Sequence, residues 1–63
     1  MDRTKIIDLM AEKGLTKSDL ADKAHVSRQA VYRIVNNGVT PRLDTLGKVA
    51  RVLGVKPSEL LKD

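Results

Sequence analysis

The sequence predicts an all-α fold, a compact bundle of five short helices, and three observations carry that expectation. Apolar residues recur at three- and four-residue spacing, with no strand-like alternation anywhere in the chain. Gly14, Gly38 and Gly54 each follow such a run and stop it. The stretches left between the runs are only a few residues long, the connections of a small helical bundle.

The first helix is expected over residues 3 to 13, where Asp2 or Thr4 can cap it, Ile6, Leu9 and Met10 form its apolar stripe, and Ile7 lies beside that stripe. A second helix should run from Lys17 to Ala24, because Thr16 is followed three residues later by Asp19, a capping-box-like start. Ser27 caps a third, from about Arg28 to Asn36, after which Asn37 and Gly38 tolerate the left-handed conformation that closes a helix. Only His25 and Val26 separate the second helix from the cap of the third. The two must then cross steeply, with Leu20, Ala21, Ala24, Val26, Val31 and Ile34 filling the angle. Val39, Thr40 and Pro41 form a loop. A fourth helix spans about Leu43 to Leu53, with Leu46, Val49, Ala50 and Leu53 on one face, and Val55 plugs the core after Gly54. Pro57 suits the first position of a short fifth helix bearing Leu60 and Leu61, both assigned to the core. Tyr32 is the one aromatic residue, so the core rests on Leu, Ile, Val, Met and Ala, and a stability of about 5 kcal/mol or less is expected.

Sixty-three residues make one domain, 1–63, near the lower size limit for a core without staples. There is no cysteine, which excludes disulfides and thiolate metal sites, and a single histidine does not make a zinc site. Without a long apolar run, neither a membrane span nor a signal peptide is expected, and a cytoplasmic, nucleoid-associated location follows. No nucleophile has a base in reach and no glycine loop could cradle phosphate, so the reading is not an enzyme, with no cofactor and no small-molecule ligand.

The net charge of +4 is modest, but its placement is informative. Arg3, Lys5, Lys13, Lys17 and Lys23 are cancelled by Asp2, Asp8, Glu12, Asp19 and Asp22, and Lys56 and Lys62 by Glu59 and Asp63. The excess therefore lies in residues 27–51, where Arg28, Arg33, Arg42, Lys48 and Arg51 oppose only Asp44, five minus one giving +4. No acid occurs from Ser27 to Leu43. A solvated surface mixes the signs, whereas a polyanion-binding face concentrates one of them.

The third helix carries that face. Its outward residues are Arg28, Gln29, Tyr32, Arg33 and Asn36, a donor-rich set suited to base edges. Arginine can donate a bidentate pair to guanine, and glutamine can pair with both groups on the adenine edge. Arg33 is open between base, phosphate and solvent; Tyr32 either lays its ring on a sugar or thymine methyl or covers the edge of the core. Lys48 and Arg51 read as solvated, and His25 as a turn residue.

Segments E-K-G-L-T, L-A-D-K-A, V-S-R-Q-A-V, N-N-G, P-R-L-D-T-L and L-G-V-K-P-S-E-L-L follow one another in order from Ile6 to Leu61. In this the chain resembles the helix-turn-helix domains of the lambda repressor and Cro type, the XRE-like family. The resemblance implies a third helix in the major groove, with Arg28 and Gln29 at base-contacting positions and Tyr32 and Arg33 one turn further along. It implies phosphate contact by Lys17 and by Ser27, which sits where phosphate or base contacts are made, and backbone contacts by Asn36, Thr40 and Arg42. It further implies a double-stranded DNA partner, transcriptional regulation, most simply repression, and a homodimer, weak or formed on DNA, on an inverted repeat. A dimer contact would fall on the fifth helix and its neighbouring loops. A protein-interaction or antitoxin-like module and a non-specific architectural DNA binder are the competing readings.

Three positions depart from the family pattern. His25 and Asn37 stand where many relatives have glycine, and His25 is expected at positive φ. Val35 occupies the place of a glutamate that commonly pairs with an arginine at the position of Met10, so a Met10–Val35 apolar contact is expected instead of a buried ion pair.

Overall fold

A computed structural model describes residues 3–61 and places five helices in them: α1 (Arg3–Lys13), α2 (Lys17–Ala24), α3 (Arg28–Asn37), α4 (Leu43–Leu53) and α5 (Pro57–Leu61). All five expected elements are present. Asp2, one proposed cap of α1, lies outside the described residues, and Thr4, the other, sits inside the helix and not before it.

Local chemistry accounts for the boundaries. At the start of α2 the capping box is complete: the Asp19 amide donates to Thr16 Oγ1 at 3.1 Å, and the Thr16 amide donates to Asp19 Oδ2 at 3.0 Å. The Asp19 carboxyl is held below its ordinary range chiefly by the bond from the Thr16 amide, with the Thr16 hydroxyl second. The Ala30 amide donates to Ser27 Oγ at 3.1 Å and so caps α3. At α5 the Lys56 amide donates to Glu59 Oε2 at 3.1 Å while Pro57 takes the first helical position, where its missing N–H costs nothing.

The first four helices end by one device. A residue in the left-handed region (Gly14, His25, Gly38 or Gly54) is followed by an apolar residue whose amide reaches back to the last turn: Leu15 to Met10, Val26 to Ala21, Val39 to Arg33 and Val55 to Ala50, at 2.9 to 3.1 Å. Asn37 remains helical, so the left-handed role falls on Gly38 alone and α3 runs one residue past the expected Asn36. His25 adopts φ 57°, the single positive value among non-glycine residues described.

Every helix contributes to one core. Ile6, Leu20, Val31, Ile34, Leu46, Val49, Leu53 and Leu60 are essentially inaccessible, and Ala21, Ala24 and Ala50 allow close approach where α2 and α4 meet their neighbours. Helix α2 packs chiefly on α3 and α4, which fixes the helix pair on which the candidate interface depends. Val26 and Val55 only half enter the core, being the residues that follow a left-handed stop; Val55 flanks the core where a full plug was expected. Leu61 is corrected outright: it is 43% exposed. Consecutive residues of a helix point about 100° apart, and in a five-residue helix Leu60 takes the single inward direction.

Met10 and Val35 are both buried, at 7% and 8% exposure, belong to the same core cluster and line the same small depression with Leu15. The exchange of an ion pair for apolar packing between α1 and α3 fits this arrangement, and no desolvated charge is left behind.

Candidate nucleic-acid interface

Because Val31, Ile34 and Val35 turn inward, helical geometry turns positions 28, 29, 32, 33 and 36 outward, and all five side chains are exposed. Among the described residues, Arg28, Gln29 and Arg33 engage no hydrogen-bonding or ionic partner, which leaves their donors available to a ligand. The first turn of α3 carries no acid, so the positive end of the helix dipole beside Ser27 is uncompensated. An anion near that end would be favoured.

Tyr32, 43% exposed, lies on this outer face. Its ring lies 5.4 Å from Lys17 Nζ, and the same ammonium donates to Asn36 Oδ1 at 2.6 Å. Lys17 occupies the first position of α2, where a cation is disfavoured by the helix dipole. Swinging toward α3 gives it an amide oxygen and a ring face, and it ties Tyr32 and Asn36, one turn apart, to the start of the other helix of the pair.

Asn36 is also held through its backbone. Arg3 NH1 donates to the Asn36 carbonyl oxygen at 2.6 Å, and the Arg3 side chain passes the backbone of Gly38, 3.6 Å from where a Cβ would stand. The last turn of α3 has no basic residue of its own, and Arg3 supplies the missing cation from α1. No local pattern in the sequence points to this contact, since its partners are 33 residues apart.

The loop after α3 completes the face. Arg33, Thr40 and Arg42 line one shallow cleft of about 220 Å³, with Thr45 at its edge. Arg42 precedes α4 without a side-chain cap bond and is 90% exposed; Asp44 Oδ1, 4.0 Å from its Nε, is itself 65% exposed and accepts from the Thr45 amide at 2.8 Å. So open a pair neutralises little of the charge, and the cleft stays cationic.

The site residues expected from the sequence thus fall into two adjoining groups. Arg28, Gln29, Tyr32, Arg33 and Asn36 share the outer face of α3, with Ser27 at its start and Lys17 reaching it from α2, while Thr40 and Arg42 join Arg33 in the following cleft. Among the described residues no group of three or more His, Cys, Asp or Glu could hold a metal, and no helix is long and apolar enough to cross a membrane.

Such a capped, cationic second helix held against a shorter partner is the layout of a helix-turn-helix, and comparison with known proteins agrees. The helix-turn-helix family profile matches residues 6–60, most of the chain, which therefore belongs to that family, in its XRE group. Among solved structures, the chain is similar to the N-terminal DNA binding domain of SinR from Bacillus subtilis, at 34% sequence identity and a TM-score of 0.88, over 97% of this chain and 90% of that one. Comparison with curated protein sequences gave no match.

Proposed function

We propose that this protein is a sequence-specific regulator of transcription that reads duplex DNA with α3 and acts most simply as a repressor, by occluding a promoter. The family and the fold are those of DNA-binding transcription regulators and not of enzymes. The observation that carries the finer reading is the outer face of α3, where Arg28 and Gln29 stand exposed with no partner among the described residues on a helix without acids. In this reading Arg28 and Gln29 donate to base edges, with Tyr32 and Arg33 one turn on, while Lys17, Ser27, Asn36, Thr40 and Arg42 hold the phosphate backbone.

One copy carries a single α3 and so serves one passage of the major groove, the next passage lying about 34 Å along the duplex. Two copies on an inverted repeat supply the second reading helix. The contact between them is assigned to α5 and its neighbouring loops, where Leu61 is exposed. The working location is the cytoplasm, on the nucleoid.

Titration of a labelled random-sequence duplex tests the DNA-binding core of this proposal. Binding in the range of about 10⁻⁴ to 10⁻⁶ M, weakening steeply with salt, is expected from the cationic face. Absence of binding at low salt would overturn it.

A further inference from the structure

We propose that a groove on a different side of the domain docks an acidic, amphipathic helical segment of a partner protein. The open groove runs between the C-terminal end of α2, the length of α4 and the start of α5, has a volume of about 780 Å³, and has no residue of α3 in its lining. It is therefore separate from the face assigned to base reading, and Leu61, around which the dimer contact on α5 is assigned, does not line it.

Two features on the same walls define its occupant. Its floor is apolar, formed by Val52 and Val55, both half-buried against the core, and by Gly47, where an added Cβ would meet nothing within 4 Å. Leu43 stands at its edge with 82% of its surface exposed, the most exposed large apolar residue described. The rim, by contrast, is cationic: Lys23, Lys48, Arg51 and Lys56 face a single carboxylate, Asp44, a balance of four to one.

Each simpler occupant meets only part of this surface. A nucleic-acid backbone would engage the cations but leave Leu43 and the valine floor wet. A second copy offering the same groove would set like charges against one another, which opposes association. An amphipathic helix with carboxylates along one edge and aliphatic side chains between them satisfies both features. Its apolar residues cover Val52, Val55 and Leu43, and its acids meet Lys48, Arg51 and Lys56. Leu43, Gly47 and Arg51 recur every four residues on α4, so apolar and cationic positions lie along one line for such a helix to follow.

Selection from a random 14-residue peptide library displayed on phage, using the full chain as bait, tests this directly. The selected peptides are expected to carry Asp or Glu with Leu, Ile or Phe at helical spacing, and to lose at least tenfold in affinity against Arg51→Glu and against Leu43→Ser. Both positions are exposed, so both variants keep the core, as thermal unfolding would verify. Enrichment of peptides without acidic character, or equal binding to wild type and both variants, would overturn the proposal. So would displacement of the peptides by Arg28→Ala in place of Arg51→Glu, which would put them on α3, or self-association of the free chain abolished by Leu43→Ser, which would make the occupant a second copy.

Discussion

Lys17 Nζ donates to Asn36 Oδ1 at 2.6 Å while facing the ring of Tyr32, so the first residue of α2 is bonded to the last part of the outer face of α3. This fixes the placement of Lys17 and Asn36, which the proposed function uses for phosphate, relative to Tyr32, which it uses for bases. It also means that Lys17 can hold a phosphate and Asn36 together, having three donors on one ammonium.

Replacing Lys17 by alanine is expected to weaken target and random DNA by the same factor and to lower the salt slope of binding by about one. Stability should fall by about 1 kcal/mol or less, the worth of an exposed cation–π contact and a solvated hydrogen bond. Binding titrations over a salt series check this; a loss confined to the target sequence would show that Lys17 acts through Tyr32 or Asn36 instead.

His25 closes α2 at φ 57°, a conformation that disfavours a side chain with a Cβ. His25→Gly relieves that strain but gives the unfolded chain more freedom, and the balance is a stabilisation of up to about 1 kcal/mol. Urea unfolding measures it, and a destabilised variant would mean that the imidazole makes a contact worth more than the strain.

The depressed Asp19 pKa predicts an acid-side effect. A carboxyl whose folded pKa lies below its unfolded value of 3.8 contributes stability that is fully present well above that value and is lost as pH falls through the folded one. Asp19→Asn should therefore flatten the loss of stability on acidification below about pH 5, leaving the neutral-pH fold intact. Unfolding curves at successive pH values give the slope; an unchanged slope would remove Asp19 from the cause.

Met10 and Val35 predict a coupling across α1 and α3. Val35→Glu alone puts an unpaired carboxylate beside Met10 and should cost about 3 kcal/mol or more, enough to unfold much of so small a domain. Adding Met10→Arg should restore at least about 1 kcal/mol, and a double-mutant cycle reads the coupling. Additive losses would show that the two positions do not meet.

Most of the fold was legible because local chemistry marks it. Thr16 and Asp19, Ser27, Pro57 and the stops at Gly14, His25, Gly38 and Gly54 fix helix boundaries within a residue or so, and the apolar spacing placed Ile6, Leu20, Val31, Leu46 and Leu53 inside. Leu61 was misplaced because periodicity cannot choose between adjacent leucines in one and a half turns. The outward face of α3 followed from the same spacing. What pairs with it did not: the bonds of Arg3 and Lys17 to Asn36 join residues far apart in the chain through flexible cations, and the exposure of Leu43 depends on how α4 meets α2 and α5.

Whether α3 reads sequence is decided by selecting bound duplexes from a random DNA pool at near-physiological salt, with wild type and Arg28→Ala side by side. The wild type is expected to enrich an inverted repeat, and the variant to relax preference by about 1 to 3 kcal/mol at the position Arg28 reads. Recovery of the same motif with the same preference by Arg28→Ala, or recovery of duplexes sharing no motif by the wild type, would contradict sequence reading by α3.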